Sequence, residues 1–240
     1  MAAKTMYKII TRLLLLAGGI LFCAYISSCG KANNASPTGL NIEYQIMNFS
    51  PDLGPVNLFV NFNEVNALGN PFVFERNHGY FYIPYNVLPF QFRTAYTVDT
   101  TIFQRNDILT SGARYTLYIT GAQADHSLTQ IFTVDTAVSP AIGYGLLRFV
   151  NVSPTGTGGL DVTANGTPAF NKIPYKTVSS WLPLPIGNYD LKINTTGNTA
   201  ILNEQPSVTI QDGRLYTLYA YGYTSRVDSA AFNAAVMTNR

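Results

Sequence analysis

After residue 40, apolar and polar residues alternate in short runs that are separated by Gly, Pro and Asn. Alternation with a period of two is typical of β-strands, because successive side chains point to opposite faces of a sheet. No window in this part of the chain has the apolar spacing of an amphipathic helix. The pattern therefore predicts an all-β fold, with strands most clearly at 44–49, 56–61, 115–120, 147–152, 189–193 and 216–221.

Three segments occur twice in the same order, which indicates an internal repeat. The matching pairs are 48–51 with 151–154, 56–61 with 160–165, and 112–121 with 213–222. We expect two tandem domains, the first at 40–137 and the second at 138–240. Each would have about one hundred residues and about seven short strands, which is typical of an immunoglobulin-like β-sandwich.

Turn-forming residues support this division. The Asn-Gly pair at 165–166 is a strong hairpin signal, since both residues tolerate positive φ. The Leu-Pro-Ile-Gly segment at 184–187 suits a type I turn, and residues 136–145 form the predicted connection, as a turn or a short hinge. Because the second domain has its own strands and turns, we expect it to fold alone.

The first 28 residues have the organisation of a signal peptide. Lys4, Lys8 and Arg12 form a basic region, and residues 13–26 form an apolar stretch. This stretch is shorter than the roughly twenty residues that a bilayer-spanning helix requires. The sequence therefore favours a secretory signal over a permanent transmembrane helix.

The segment at 26–29, Ile-Ser-Ser-Cys, resembles the lipobox of bacterial lipoproteins, in which small residues precede the cysteine that receives lipid. We expect Cys29 to be the lipid-modified first residue of the mature protein. Residues 29–39, which lack an apolar pattern, are expected to be a flexible tether. The predicted location is the cell envelope, anchored by lipid in the outer membrane of a Gram-negative bacterium.

Charge argues against a nucleic-acid-binding protein, and cysteine content argues against one stabilised by disulfides. The full chain has 15 basic and 13 acidic residues, and removal of three basic residues with the signal segment leaves 12 against 13, a net charge of −1. No cluster of Lys and Arg follows residue 40, so nucleic-acid binding is not indicated. Of the two cysteines, Cys23 lies in the removed segment, so the mature domains are expected to have no disulfide.

These features together resemble a bacterial family, the domain of unknown function 4397, whose members are exported and often lipid-anchored. The resemblance rests on the Asn-x-Ser-Pro opening, the alternating strand after it, the Leu-Pro-Ile-Gly-Asn-Tyr segment at 184–189 and the closing Gly-x-x-Tyr-Thr strand. It covers nearly all of both repeats, although the first has Pro-Phe-Gln-Phe at 89–92 near the place of the turn. The resemblance implies an immunoglobulin-like sandwich and an envelope location, and it brings no catalytic residues.

Residues suited to catalysis are sparse. His78 and His126 are far apart in sequence and lie among turn residues, which does not indicate a metal site. No cysteine follows Cys29, and there is no Gly-x-Ser-x-Gly motif. Paired carboxylates from separated loops stay open as an alternative, since sequence does not reveal their approach.

The segment 79–85, Gly-Tyr-Phe-Tyr-Ile-Pro-Tyr, is rich in aromatic residues. In a strand, Tyr80 and Tyr82 share one face, and Phe81 and Ile83 share the other. If the second face is buried, the two tyrosines form an exposed pair that suits a sugar ring or a protein partner. Alternatively, tyrosines occupy a β-surface only because their strand propensity is high.

The sequence therefore favours a non-enzymatic interaction or structural module, with adhesion or glycan binding as its role. The alternative is an envelope hydrolase that uses carboxylates from separated loops. The expected partners are the membrane, through lipid on Cys29, and a glycan or an envelope protein. No cofactor, metal or nucleic acid is expected.

Overall fold

The computed structural model describes residues 40–240, apart from 67–68, 85, 97–99 and 156–157. The predicted signal segment, Cys29 and the tether lie outside the described residues. Among those that are described, no helix has the length and apolar character needed to cross a membrane.

Repeat 1 is built from the first half of the described strands. They are β1 Glu43–Asn48, β2 Val56–Val60, β3 Asn63–Glu64, β4 Phe81–Tyr82, β5 Phe90–Thr94, β6 Thr101–Arg105, β7 Arg114–Thr120 and β8 Thr129–Val134. They form two four-stranded sheets with the orders β4-β1-β7-β8 and β3-β2-β5-β6. Strands β1 and β7 are parallel, and the other pairs are antiparallel.

Repeat 2 has the same plan. Its strands are β9 Tyr144–Asn151, β10 Leu160–Ala164, β11 Thr167–Ile173, β12 Leu182–Pro185, β13 Gly187–Thr195, β14 Ile201–Ile210, β15 Leu215–Tyr221 and β16 Asn233–Thr238. The sheet orders are β12-β9-β15-β16 and β11-β10-β13-β14, and β9 runs parallel to β15. Each order becomes that of repeat 1 when every strand number is lowered by eight, so the two repeats share one topology.

Each repeat encloses a core between its two sheets. In repeat 1, Tyr44, Leu58, Phe92 and Leu117 are buried together, and in repeat 2 the corresponding cluster includes Phe149. The alternation seen in the sequence thus has the expected cause, since one face of each strand points inward. The predicted all-β fold of two tandem β-sandwich domains is confirmed.

A tyrosine hydrogen bond occurs in the same place in both repeats. The hydroxyl of Tyr115 accepts from the backbone N–H of Thr110 at 2.8 Å, and that of Tyr216 accepts from Gln211 N–H at 3.0 Å. In each case the tyrosine is the second residue of the strand that contains the Tyr-Thr pair of the Gly-x-x-Tyr-Thr segment, and it anchors a residue five positions upstream. A tyrosine that bonds back to upstream backbone is also a feature of immunoglobulin sandwiches.

A glycine ends this strand in both repeats. Gly121 and Gly222 have φ values of 80° and 74°. A Cβ at Gly121 would lie 2.3 Å from the Ser127 carbonyl oxygen, and one at Gly222 would lie 2.2 Å from that of Ala231. Only glycine fits both the dihedral and the space, so these two positions fix the hairpin that follows.

The three segments that were predicted to form turns or connections have different structures. The Asn-Gly pair at 165–166 joins β10 to β11 with φ values of 49° and 79°, as a tight hairpin requires. The segment 184–187 leads from β12 to β13, which belong to different sheets, and therefore carries the chain across the sandwich. The connection between repeats contains a turn closed by Tyr144 N–H and Ala141 C=O at 3.1 Å.

Candidate functional site

The outer faces of β7 and β15 are buried as well as their inner faces. Tyr115, Leu117 and Ile119 of β7 point into the core of repeat 1, whereas Thr116 and Tyr118 alternate with them and are also inaccessible. Every residue of β15 is likewise buried. Because a sandwich has only one interior, a second surface must cover these outer faces.

That surface is the equivalent face of the other repeat. The surface that we call the inter-repeat interface consists of the polar side chains that join the repeats, described below, and of a third hydrophobic cluster that draws side chains from both. The buried members of this cluster are Met47, Phe49, Tyr118 and Ile131 from repeat 1, and Val150, Val152, Tyr219, Tyr221 and Met237 from repeat 2. The rings of Phe49 and Tyr221 stack with centroids 4.3 Å apart. The repeats therefore pack through matching strands, as the subunits of a two-fold symmetric dimer do.

A buried carboxylate lies beside this cluster. Asp135, which is 1% exposed, accepts hydrogen bonds from the hydroxyls of Thr133 at 2.6 Å, Thr116 at 2.5 Å and Tyr80 at 2.7 Å. Its fourth partner is the guanidinium of Arg148 in repeat 2. A buried charge is tolerated when it is paired and its oxygens are saturated with donors, and Asp135 meets both conditions.

Arg148, which is 2% exposed, is satisfied in the same way. Besides Asp135, its guanidinium donates to the Val134 carbonyl at 2.8 Å and to the Thr217 hydroxyl at 2.9 Å. Its Cζ atom lies 4.6 Å from the centre of the Trp181 ring. Arg148 thus joins the end of β8 in repeat 1 to the sheet of repeat 2.

The interacting positions are equivalent in the two repeats. In repeat 1, Gln45 is in register with Thr116, and Asp135 follows β8. In repeat 2, Arg148 is in register with Thr217, and Asn239 follows β16. Gln-Thr-Asp therefore faces Arg-Thr-Asn, and the formal charges of these sets are −1 and +1.

Tyr80 belongs to this interface and not to an exposed surface. Its hydroxyl donates to Asp135 and accepts from the Asn239 amide at 2.8 Å, and the Arg114 guanidinium lies 5.5 Å from its ring centre. Burial raises the pKa of Tyr80 above its usual range, and the neighbouring Asp135 raises it further. Tyr80 is only partly exposed, so it does not form the predicted exposed pair with Tyr82, because polar groups distant in sequence bind its hydroxyl.

Tyr82 has the exposure that the prediction required, at 39%. It lines a cavity of about 190 Å³, which we call the edge pocket, where edge strand β4 faces the chain that follows edge strand β3. The lining residues are Val65, Asn66, Asn70, Phe72, His78, Phe81 and Tyr82. Ile83 is buried in the core, and the partly buried Phe81 packs against it. Aromatic rings and side-chain amides therefore share one opening.

His78 is the unusual member of the edge pocket. Its ring meets Phe72 edge-on, with centroids 5.3 Å apart at 74°. Its Nε2 atom is buried and has no hydrogen-bond partner among the described residues. Burial lowers the pKa of His78, and Arg76 lowers it further, so the imidazole is neutral near pH 7. A neutral imidazole offers one donor and one acceptor.

Repeat 2 has a cavity of about 270 Å³ in the corresponding place, between β11 and β12. Its wall is mainly aliphatic and contains Leu182, Leu184, Pro168 and Pro185, with Tyr189 as its aromatic residue. No described residue of this wall has a buried polar side-chain atom without a partner. The two repeats thus share the opening but differ in its chemistry.

Comparison with protein families identifies the family to which this architecture belongs. The family model described as domain of unknown function (DUF4397) matches residues 43–157 and again residues 155–240. The chain belongs to the DUF4397 family. No curated protein sequence matches it significantly.

The DUF4397 match agrees with the two sandwiches, but the family description assigns no chemistry to any residue. His126 does not indicate a chemical role either, because it is exposed in a turn at φ 60° and does not line the edge pocket. Within the described part of the chain, no three His, Cys, Asp or Glu residues come together as metal ligands would.

The sequence pattern did not predict that Asp135 and Arg148 of this DUF4397 protein join the two repeats. One signal was present, because Arg148 interrupts the otherwise apolar run 146–150 in a strand with both faces buried. A charged residue in such a run needs a buried partner. The sequence does not reveal which acid supplies it.

Proposed function

We propose that this DUF4397 protein is a lipid-anchored cell-envelope protein whose paired sandwiches act as a non-enzymatic interaction or structural module, in adhesion or glycan capture. The observation that carries the proposal is the inter-repeat interface. It joins the repeats into one compact unit, Ser36–Arg240, and thereby fixes the two edge openings relative to each other. A fixed pair of openings at the end of a tether suits the display of a binding surface.

The engagement of three aspartates, Asp52, Asp135 and Asp161, also favours a non-enzymatic role. Asp135 has four partners. Asp52 accepts from the backbone N–H groups of Gln123 and Ala124 in a neighbouring loop, and Asp161 accepts from those of Lys172 in β11 and Gly197 in the loop after β13. These hydrogen bonds lower the pKa values of Asp52 and Asp161, although partial burial opposes them. A general acid requires a raised pKa, so these carboxylates are suited to holding loops in place.

Anchoring is tested by expressing the full chain and its Cys29→Ala variant with labelled fatty acid. Label should enter the parent and not the variant, and the variant should leave the membrane fraction. More than one acyl chain is needed for stable attachment, so loss of the acceptor cysteine removes the anchor. Equal labelling of both proteins would refute the proposed anchor.

Binding without conversion is tested with unit 36–240 and isolated Gram-negative cell envelopes. We expect the unit to sediment with the envelopes and to release no reducing sugar over the buffer control. Release that grows with time and enzyme concentration would instead support the hydrolase alternative. Failure to sediment would contradict the proposed interaction role.

A further inference from the structure

We propose that one end of the two-repeat unit docks on the bilayer that holds the lipid of Cys29, through exposed apolar side chains of both repeats. We call it the tether end, because β1 begins there and residue 40, which follows the predicted tether, precedes β1. The inference rests on the lipid anchor of the proposed function and adds a second contact with the same membrane.

Strand directions place three loops of repeat 1 at the tether end. Strand β1 runs away from this end, and β2 returns to it after a connection in which the Asn48 amide donates to the Gly54 carbonyl at 2.8 Å. Strands β4 and β6 run in the same direction as β2. The loops that follow β2, β4 and β6 therefore lie at the tether end, beside the start of β7.

These three loops are adjacent and carry exposed apolar side chains. The Asn61 N–H donates to the Pro89 carbonyl at 2.9 Å, and the Asn86 amide donates to the Leu109 carbonyl at 2.8 Å. Next to these bonded residues are four exposed apolar side chains, of which Ile108 is 87% exposed. They are Phe62, Val87, Leu88 and Ile108.

Repeat 2 presents its equivalent end in the same direction. The Arg114 guanidinium, at the start of β7, donates to the carbonyl of Asn239, which follows β16. At the opposite end, the Thr120 hydroxyl donates to the Val152 carbonyl at 2.6 Å. Like ends of the two repeats are therefore together, and the tether end includes the start of β9.

The connection between the repeats and the loop after β12 add apolar side chains at this end. The Ile186 N–H donates to the Gly143 carbonyl at 2.9 Å, and Tyr144 is in register with Pro185. The exposed side chains of Ile142, Tyr144 and Ile186 are thus neighbours, and Ile142 is 94% exposed. We call these three residues, together with the four of repeat 1, the apolar tips.

The two ends of the unit differ in their exposed apolar side chains. Of the thirteen large apolar side chains that are exposed in the described part of the chain, three lie at the opposite end, namely Tyr96, Ile201 and Val227. Both ends consist of connections between strands, so the fold alone does not explain this difference. Apolar surface concentrated at one end is typical of a site that contacts a membrane or another protein.

The predicted tether indicates that the membrane is the partner. Residues 29–39 are eleven in number and span at most about 40 Å when fully extended. Lipid on Cys29 would therefore hold the unit near the bilayer at an effective concentration on the order of millimolar. Under these conditions a modest apolar contact with the headgroup region is sufficient for docking.

Charged side chains at the tether end do not require anionic lipid. The Arg105 guanidinium pairs with Asp107, and the Arg114 guanidinium pairs with Glu43. Docking through the apolar tips should therefore persist at high salt, which screens contacts between exposed charges.

Docking is tested with unit 36–240, which lacks the anchor, by flotation with vesicles of phosphatidylethanolamine and phosphatidylglycerol. The parent should float with the vesicles at low and high salt. The double variant Ile108→Ser with Ile142→Ser should bind at least about tenfold more weakly, because it loses two of the apolar tips. The matched control is Tyr96→Ser with Val227→Ser, whose side chains are 71% and 102% exposed at the opposite end. It should bind like the parent.

Failure of the parent to float, or equal binding by the two double variants, would overturn the proposal. Sedimentation velocity without lipid tests another occupant of the apolar tips. A parent dimer that the Ile108→Ser, Ile142→Ser variant alone loses would show that a second copy covers them, and it would also overturn the proposal. If the parent sediments with envelopes but does not float with the vesicles, docking is refuted while the proposed function stands, so the two failures are distinguishable.

Discussion

Repeat 1 and repeat 2 have the same backbone plan at the inter-repeat interface but differ in the side chains that fill it. Gln45, Thr116 and Asp135 occupy in repeat 1 the positions that Arg148, Thr217 and Asn239 occupy in repeat 2. In an equivalent packing of two copies of repeat 2, Arg148 would face an amide in place of a carboxylate. The difference therefore favours pairing of unlike repeats over like ones.

The clearest way to break this pairing is Asp135→Ala, which leaves the Arg148 guanidinium buried without its counter-ion. Breaking a buried pair by removing one partner typically destabilises a protein by about 3–5 kcal/mol. Urea unfolding of unit 36–240 measures the change. Glu204→Ala is the control, because Glu204 pairs with Lys192 at the surface at 3.4 Å and its loss should change stability by less than about 1 kcal/mol. Equal effects of the two substitutions would show that the buried pair is not important for stability.

Two glycine substitutions test a feature that both repeats share, the close backbone approach directly after β7 and β15. Gly121→Ala and Gly222→Ala should each destabilise the unit by about 2–4 kcal/mol, since both place a Cβ against a carbonyl oxygen at positive φ. Gly54→Ala separates the two causes, because Gly54 has φ 77° and open space around it. It should lose only about 1–2 kcal/mol. If all three alanine variants unfold at the same urea concentration, the close approach has no energetic consequence.

A double substitution tests whether the opposite charges of the two repeats interact directly. Asp135→Asn with Arg148→Gln makes both sets Gln-Thr-Asn and removes both charges together. The double variant should lose less stability than the sum of the single losses, with a coupling of about 1–3 kcal/mol. The four proteins of this double-mutant cycle are compared by urea unfolding. Additive losses would contradict a direct interaction between the two side chains.

The smallest effect concerns two tyrosines on opposite faces of β7. Tyr118 is fully buried in the interface, and its hydroxyl has no partner among the described residues. Tyr118→Phe should therefore raise the free energy of unfolding by about 1 kcal/mol, whereas Tyr115→Phe should lower it by about 1 kcal/mol because the bond to Thr110 is lost. Thermal unfolding of both variants decides the sign. Destabilisation by Tyr118→Phe would indicate that its hydroxyl has a partner in solution.

Much of the fold was predictable from the sequence because strand alternation and turn chemistry act locally. The strands, the two copies and the hairpin at 165–166 follow from neighbouring residues. The pattern of β7 also predicts that Tyr115 and Leu117 share a core face. It does not reveal what covers Thr116 and Tyr118, because a face covered by another domain has the same alternation as one exposed to water.

The candidate site was less predictable because its contacts are distant in sequence. Tyr80 meets Asp135 and Asn239, which are 55 and 159 positions away. No local pattern distinguishes such a tyrosine from Tyr82, two residues later, which stays at the surface. The expectation that repeat 2 folds alone stays a prediction, but its isolated form would expose Tyr219, Tyr221 and an unpaired Arg148.

The central claim is that the two repeats unfold as one body because they share a buried interface. The chain has a separate probe for each repeat, since its one tryptophan, Trp181, lies in repeat 2 and both histidines lie in repeat 1. Urea unfolding of unit 36–240 is followed by Trp181 fluorescence and by the histidine ring signals in the same samples. The account predicts a single transition with the same midpoint for both probes. Two transitions with separate midpoints would contradict it.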